Sequence, residues 1–220
     1  RPARADRSAF FREHRLAVND VRLAFELAAQ RHGQALEWWP EPECHSRFPV
    51  WDPERRQDRR LFLGPDAYAR YHGPDGAVAF FLEVDRGTEG HRRLVQKVQT
   101  YLLLSASGHY QSHYAPDGSK AFRVLFVVAT GEQRLQNVQQ VLAGQTERLV
   151  WLSLLSQVVG APDVLSAPCW QRVGPPGRWT FLRPPPPSGA PDPAGAGNLI
   201  ASAEPSPPRR EEKVGIRHTP

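Results

Sequence analysis

The sequence predicts an α/β domain built on a mixed sheet, and three observations predict it. Two segments carry apolar residues at helical spacing, "LAVNDVRLAFELAAQRHG" and "EGHRRLVQKVQTYLLL", with apolar runs of strand length between them. A Pro-Asp-Gly turn inside "HGPDG" joins two of those runs into a hairpin. A short β-branched run, "FRVLFVVAT", has the character of a central strand covered on both faces.

The elements follow in order. In the first helix Ala17, Val21, Ala24, Phe25 and Ala28 share one face, and Gly33 suits the C-terminal cap. "ALEWW" reads as a short strand, and the Pro-, Glu- and Arg-dense segment 40–60 reads as a loop. "LFLGPDAYARY" and "AVAFFLEVD" form the hairpin. In the next helix Leu94, Val98, Tyr101 and Leu102 recur at i, i+4, i+7 and i+8. "GHYQSHYAPDG" reads as a loop. Beyond "FRVLFVVAT", Thr130 and Gln133 form a capping box for "GEQRLQNVQQVLAG", with Gly144 as its stop. "RLVWLSLL" is one more strand, and "CWQRV" and "RWTFL" are short extended pieces. The order is helix, strand, two-stranded hairpin, helix, strand, helix, strand.

With 220 residues the chain suffices for one core with appendages. Ten of its 22 prolines fall between Pro184 and Pro220, where "PPPPSGAPDPAGAG" and the charged end cannot bury enough apolar surface to fold, so a disordered tail over 184–220 is expected. The net charge of +5 is carried by 25 arginines and only three lysines, Lys97, Lys120 and Lys213. Arginine suits phosphate, so a polyanionic partner is compatible with this balance but not required by it. Cys44 and Cys169 stand far apart without a CxxC pair, so neither a disulfide framework nor a structural zinc site is readable, and a reduced, cytoplasmic setting is the default expectation. No long apolar run and no signal-peptide core is present, so neither a membrane span nor secretion is expected. Methionine is absent even at position 1, so a natural start upstream is expected, with residues 1–13 the end of an upstream segment or a linker. A Walker loop, a GxSxG elbow and a GxGxxG turn are all missing, which leaves their chemistries without support.

Four residues carry the candidate chemistry. Glu83 and Asp85 are two apart on a strand, so both carboxylates face one way and repel unless something positive lies between them. Pairing of the hairpin about its turn sets Asp66 opposite Glu83. Converging carboxylates make an oxygen-rich pocket suited to Mg²⁺, which could polarise a phosphodiester. Lys97 lies about 90° round its helix from the centre of the apolar stripe, a boundary position from which its ammonium could reach the carboxylates. The plainer alternative is that Asp66 and Glu83 serve solubility and turn formation, and that Asp85 marks a strand exit neutralised by Arg86. His109 and His113 have i, i+4 spacing but lack the glutamate of HExxH. Trp38, Trp39 and Trp51 could stack on bases, although core packing is the expected use. His14 is expected to serve the surface or a cap.

"GPDA", "EVD" and the following lysine, on an αβββαβ framework, resemble the PD-(D/E)xK restriction-endonuclease-like superfamily. More narrowly, "HRLAVNDVRLAF", "LGPDAY", "FFLEVDRGTE", "QKVQTY" and "RVLFVVAT", in that order over roughly residues 14 to 172, resemble the replication-relaxation family of actinobacterial and related plasmid or integrative elements. The resemblance implies a restriction-endonuclease-like domain over residues 14–183, a winged-helix segment upstream, DNA as partner and company with other replication or relaxation proteins. Asp66 would match the superfamily's first acid and Glu83 its second. Asp85 stands where the pattern has lysine, so Lys97 would be that lysine moved to the following helix. If the domain is an enzyme, the resemblance implies Mg²⁺-dependent phosphodiester hydrolysis, with Asp66, Glu83 and Lys97 catalytic and Asp66, Glu83 and Asp85 on the metal. If it is not, the same fold serves as a DNA-binding accessory or as a protein-interaction module whose proline-rich tail recruits a partner.

Overall fold

The computed structural model describes residues 4–174 and 176–182, with side chains from residue 9 onward. The tail expected at 184–220 lies outside the described residues.

The chain opens on α1, Arg4–Arg31, whose buried face is Ala17, Val21, Phe25, Ala28 and Ala29. Gly33 ends it at φ 65°, a left-handed conformation that lets the Gln34 amide reach back to the Ala29 carbonyl at 2.9 Å. The helix runs unbroken through residues 13 and 14. Next come β1 (Ala35–Pro40), β2 (Ser46–Asp52), β3 (Gln57–Leu63), β4 (Ala67–Gly73) and β5 (Gly76–Asp85). They are followed by α2 (His91–Ala106), α3 (His109–His113), β6 (Arg123–Val128), α4 (Glu132–Leu142), β7 (Val150–Leu154), α5 (Leu155–Gly160) and β8 (Gln171–Arg172).

Among the described residues the main sheet has six strands in the order β1-β4-β5-β6-β7-β8. β1, β4 and β5 run antiparallel to one another in turn, β5, β6 and β7 are parallel, and β8 closes the edge antiparallel. This is the mixed α/β sheet that the sequence predicts. Parallel neighbours need a crossover, and α2 with α3 supplies it between β5 and β6, as α4 does between β6 and β7. β5 lies third in the sheet with both faces covered, which is why its second half is buried without alternation.

Period-two alternation divides the core in two. One face carries Tyr68, Phe81, Val124, Phe126 and Leu152 against α2 and α4, through Leu94, Val98, Tyr101, Leu135 and Val138. The other carries Ala69, Phe80, Leu82, Leu125 and Val127 against α1 and α5. There Phe25 meets Phe80 at 4.7 Å between ring centroids and Phe181 at 5.1 Å.

The hairpin register is the expected one: Ala67 pairs with Leu82 and Gly73 with Gly76, so Asp66 comes level with Glu83. Four local expectations are corrected. The segment 40–60 is not a loop, because most of it forms β2 and β3, a two-stranded ribbon outside the main sheet. Its alternation of inward Phe48, Val50, Leu61 and Leu63 with outward residues was hidden by the density of arginine and proline. The Thr130–Gln133 capping box does not form, since Gly131 takes the N-cap position at φ 103° and no side chain caps the helix. "HYQSH" is a short helix, and "RLVWLSLL" splits into β7 and the start of α5.

Phe25→Ala would empty the centre of the α1 face and is expected to destabilise the domain by about 3–5 kcal/mol in urea unfolding.

Candidate functional site

The sheet delivers Asp66, Glu83 and Asp85 to one end, at the carboxyl terminus of β5 and the entry to β4. Each carboxylate is held by a different helix.

Glu83 lies on the face covered by α2 and is almost wholly buried. Lys97 Nζ donates to its Oε2 at 2.7 Å, and the Tyr101 hydroxyl donates to its Oε1 at 2.6 Å. Lys97 and Tyr101 are four apart on α2, so one helix face presents a cation and a phenol to one acid. Lys97 Nζ also reaches Glu89 Oε1 at 2.8 Å. Burial pushes the Glu83 carboxyl up to about 7, and the nearby Asp66 charge adds to this, while Lys97 and Tyr101 pull it down. At Lys97 burial opposes the charge, but Glu83 and Glu89 together outweigh it and hold its pKa above the ordinary amine value. Tyr101 is driven well above the usual phenol range, first by burial and then by Glu83, so it stays a donor.

Asp66 sits partly open at the sheet's end. Its Oδ2 accepts the Val84 amide at 2.6 Å and its Oδ1 lies 3.0 Å from His14 Nε2. The Asp66 amide in turn donates to the Leu82 carbonyl at 3.0 Å, extending the β4–β5 ladder by one bond. The hydrogen bond to Asp66 raises the His14 pKa against the opposing effect of burial. His14 is therefore a partner of the first acid, not the surface or capping residue the sequence suggests.

Asp85 is buried, and both its oxygens accept from Arg134 of α4, Oδ2 from Nε at 2.6 Å and Oδ1 from Nη2 at 3.1 Å. The same guanidinium donates to the Glu89 carbonyl at 2.7 Å, pinning the segment that leads into α2. Gly87, at φ 77°, lets the chain turn there with its amide on Asp85 Oδ1 at 3.2 Å. The expected partner Arg86 is corrected: it pairs with Glu13, donates to the Phe10 carbonyl and lies over the Phe10 ring. The reason is period two, since the residue after Asp85 must face the opposite side of the sheet, where α1 lies.

The structure thus brings Asp66, Glu83, Asp85 and Lys97 to one end of the sheet, and adds His14, Tyr101, Glu89 and Arg134. Tyr101 was within reach of the sequence, as an i+4 neighbour of Lys97 on the apolar boundary. Arg134 was not, because nothing local relates it to Asp85, 49 residues away. Among the described residues no cluster of three or more His, Cys, Asp or Glu side chains is arranged to hold a metal ion. The donor set that remains is a pair. Asp66 and Glu83 stand at opposed register positions, and each of their oxygens accepts one protein hydrogen bond. Two carboxylates completed by water and substrate phosphate are what Mg²⁺ ordinarily takes; of this pair Asp66 is the more exposed, and Glu83 is already held by Lys97 and Tyr101. Among the described residues no helix is long and apolar enough to cross a membrane.

A mixed α/β sheet that gathers buried acids and their cations at one end defines the class of domain. The chain belongs to the replication-relaxation family, whose model matches residues 1–116. That match takes in Asp66, Glu83, Asp85 and Lys97 with His14 and Tyr101; it starts earlier than the resemblance read from the sequence and stops before β6, so Arg134 lies beyond it. No curated protein matches the chain.

Two outcomes test this electrostatic arrangement. Arg134→Met leaves Asp85 buried without its cation and is expected to cost about 3–5 kcal/mol in urea unfolding, much of it recovered by adding Asp85→Asn. Glu83 has a folded pKa of about 7 against 4.5 for a free carboxyl, so the folded state holds that proton more tightly. Its contribution to stability is full below about pH 4.5 and is lost as pH rises through about 7. The stability of the native protein relative to Glu83→Gln should accordingly fall across that window; a constant difference would show that the carboxyl is not perturbed.

Proposed function

We propose that this chain acts on DNA in the replication or relaxation of plasmids or other mobile elements. We propose further that Asp66, Glu83 and Lys97 form a Mg²⁺-dependent phosphodiester-hydrolysing site of the restriction-endonuclease-like kind. Family membership supports the first part. One observation carries the second: Lys97 arrives from α2 with its ammonium 2.7 Å from Glu83, although the strand position that would carry that lysine holds Asp85.

Asp66 and Glu83 would hold the ion, which when bound supplies charge stabilisation for a phosphoryl oxygen and acidifies water. The protein's own groups do the rest. Lys97 is kept charged by Glu83 and Glu89, and its side chain is the more exposed of the Lys97–Glu83 pair; it would meet developing negative charge on a phosphate. Tyr101 fixes the Glu83 carboxylate so that its orientation does not depend on Lys97 alone. His14 and the Val84 amide orient Asp66 from opposite oxygens. Asp85 stands outside the pair, because Arg134 takes both its oxygens and turns it into a strut between β5 and α4.

That same strut favours a second reading. A cation fixed on Asp85 fills the position of the superfamily's lysine without offering its charge to a substrate, as in a DNA-binding accessory or protein-interaction module that keeps the fold and has lost cleavage.

Supercoiled plasmid separates the two. A nuclease nicks it with Mg²⁺, Asp66→Ala abolishes nicking, and Lys97→Met lowers the rate by about 10²- to 10³-fold, the scale of removing one charge-stabilising donor. Intact plasmid bound with steep salt dependence identifies the accessory instead. Nicking that survives Asp66→Ala rules out the catalytic assignment.

A further inference from the structure

The β2–β3 ribbon has no part in the site above, and it is dense in arginine. Eighteen residues, 46–63, hold five arginines: Arg47, Arg55, Arg56, Arg59 and Arg60. Among the described residues none of the five makes an ion pair with a carboxylate. Three acids accompany them. Asp52 accepts the Glu54 and Arg55 amides at 3.1 and 3.2 Å, while Glu54 and Asp58 are exposed, so the ribbon keeps an excess of positive charge.

Alternation sorts the ribbon into two faces. Phe48 and Leu63 are buried, and Val50 and Leu61 pack with them against the core on the α2 side. The opposite face is built from the cross-strand pairs Arg47–Phe62, Pro49–Arg60 and Trp51–Asp58. On it Trp51 is 59% exposed and Phe62 56% exposed, with the Arg47 guanidinium 5.6 Å from the Phe62 ring centroid. The other tryptophans of the first half are used differently: Trp38 packs on Phe80, and Trp39 on Tyr68 and Tyr114. Two large aromatics left in water and interleaved with guanidiniums that no carboxylate neutralises are what a stacking platform needs, since rings meet base faces and arginines meet phosphates.

The ribbon also leads to the site. β3 ends at Leu63, and only Gly64 and Pro65 separate it from Asp66. The Phe62 ring folds back over Gly64, where a Cβ would fall 2.6 Å from a ring carbon, so the glycine is required for that ring's position.

We propose that this ribbon holds single-stranded DNA, with unpaired bases on Trp51 and Phe62, phosphates on Arg47 and Arg60, and the strand directed towards Asp66; this rests on the DNA-acting reading above but not on cleavage. A two-stranded ribbon can also enter the major groove of a duplex, but that mode reads base edges with polar groups. Exposed aromatic faces need base faces, which a duplex keeps stacked.

Fluorescence anisotropy of the full chain with a labelled oligothymidylate, and with a duplex of equal length, tests this. The native protein is expected to bind the single strand more tightly. Trp51→Ala and Phe62→Ala are each expected to weaken that binding by about 5- to 150-fold while leaving the melting temperature unchanged. Arg47→Ala combined with Arg60→Ala should flatten the salt dependence by about 0.7 in slope for each phosphate the protein no longer neutralises. Undiminished affinity in the Trp51/Phe62 double variant, tighter binding of the duplex, or no DNA binding by the native chain would each overturn the proposal. The two readings fail separately. Single-strand binding that disappears with the ribbon aromatics, in a chain that never nicks, leaves this inference standing and removes the catalytic one. Nicking unaffected by Trp51→Ala and Phe62→Ala does the reverse.

Discussion

Glu83 sits on a strand with neighbours on both sides and helices on both faces, a place where an unpaired carboxylate would cost several kcal/mol. The fold answers by docking α2 in the one orientation that points Lys97 and Tyr101 at it. That requirement fixes the rotation of α2 about its axis more firmly than its apolar stripe could, because apolar contacts tolerate sliding and a buried charge does not. Leu94, Val98 and Leu104 then fall into the core beside the pair. Removing the lysine would leave the acid buried among aromatics; removing the acid would leave a lysine tied only to Glu89.

The same end of the sheet repeats this solution twice. Asp66 is tied to α1 through His14, and Asp85 to α4 through Arg134. Three helices from both faces are thereby fastened to the carboxyl end of β5 and its neighbour, each by a polar contact to an acid. In open α/β sheets the carboxyl ends of parallel strands are where ligands find backbone and side chains converging. Here that place is filled with charge already paired within the protein, with Asp66 and Lys97 only partly buried.

The ribbon stands in contrast to this dense end. Its inner face is an extension of the core, while its outer face turns aromatic surface and positive charge to the solvent. Its direct continuation into Asp66 makes ribbon and acid one stretch of chain.

Much of the fold was legible because it depends on local pattern. The two helices with apolar stripes, the hairpin about Pro74 and Asp75 and the buried run of β6 follow from spacing and turn chemistry alone, and the hairpin register followed from the turn. The ribbon was missed because its inward residues are sparse among arginines and prolines, which read as loop. Within the site, the sequence by itself determined that Glu83 and Asp85 share a face, that Asp66 lies level with Glu83, and that Lys97 occupies a helix boundary, all consequences of fixed periodicity. Only the tertiary structure decided which cation serves which acid. Arg134 rather than Arg86 takes Asp85, and His14 takes Asp66, because partners so distant in sequence meet through helix docking, which no local period encodes.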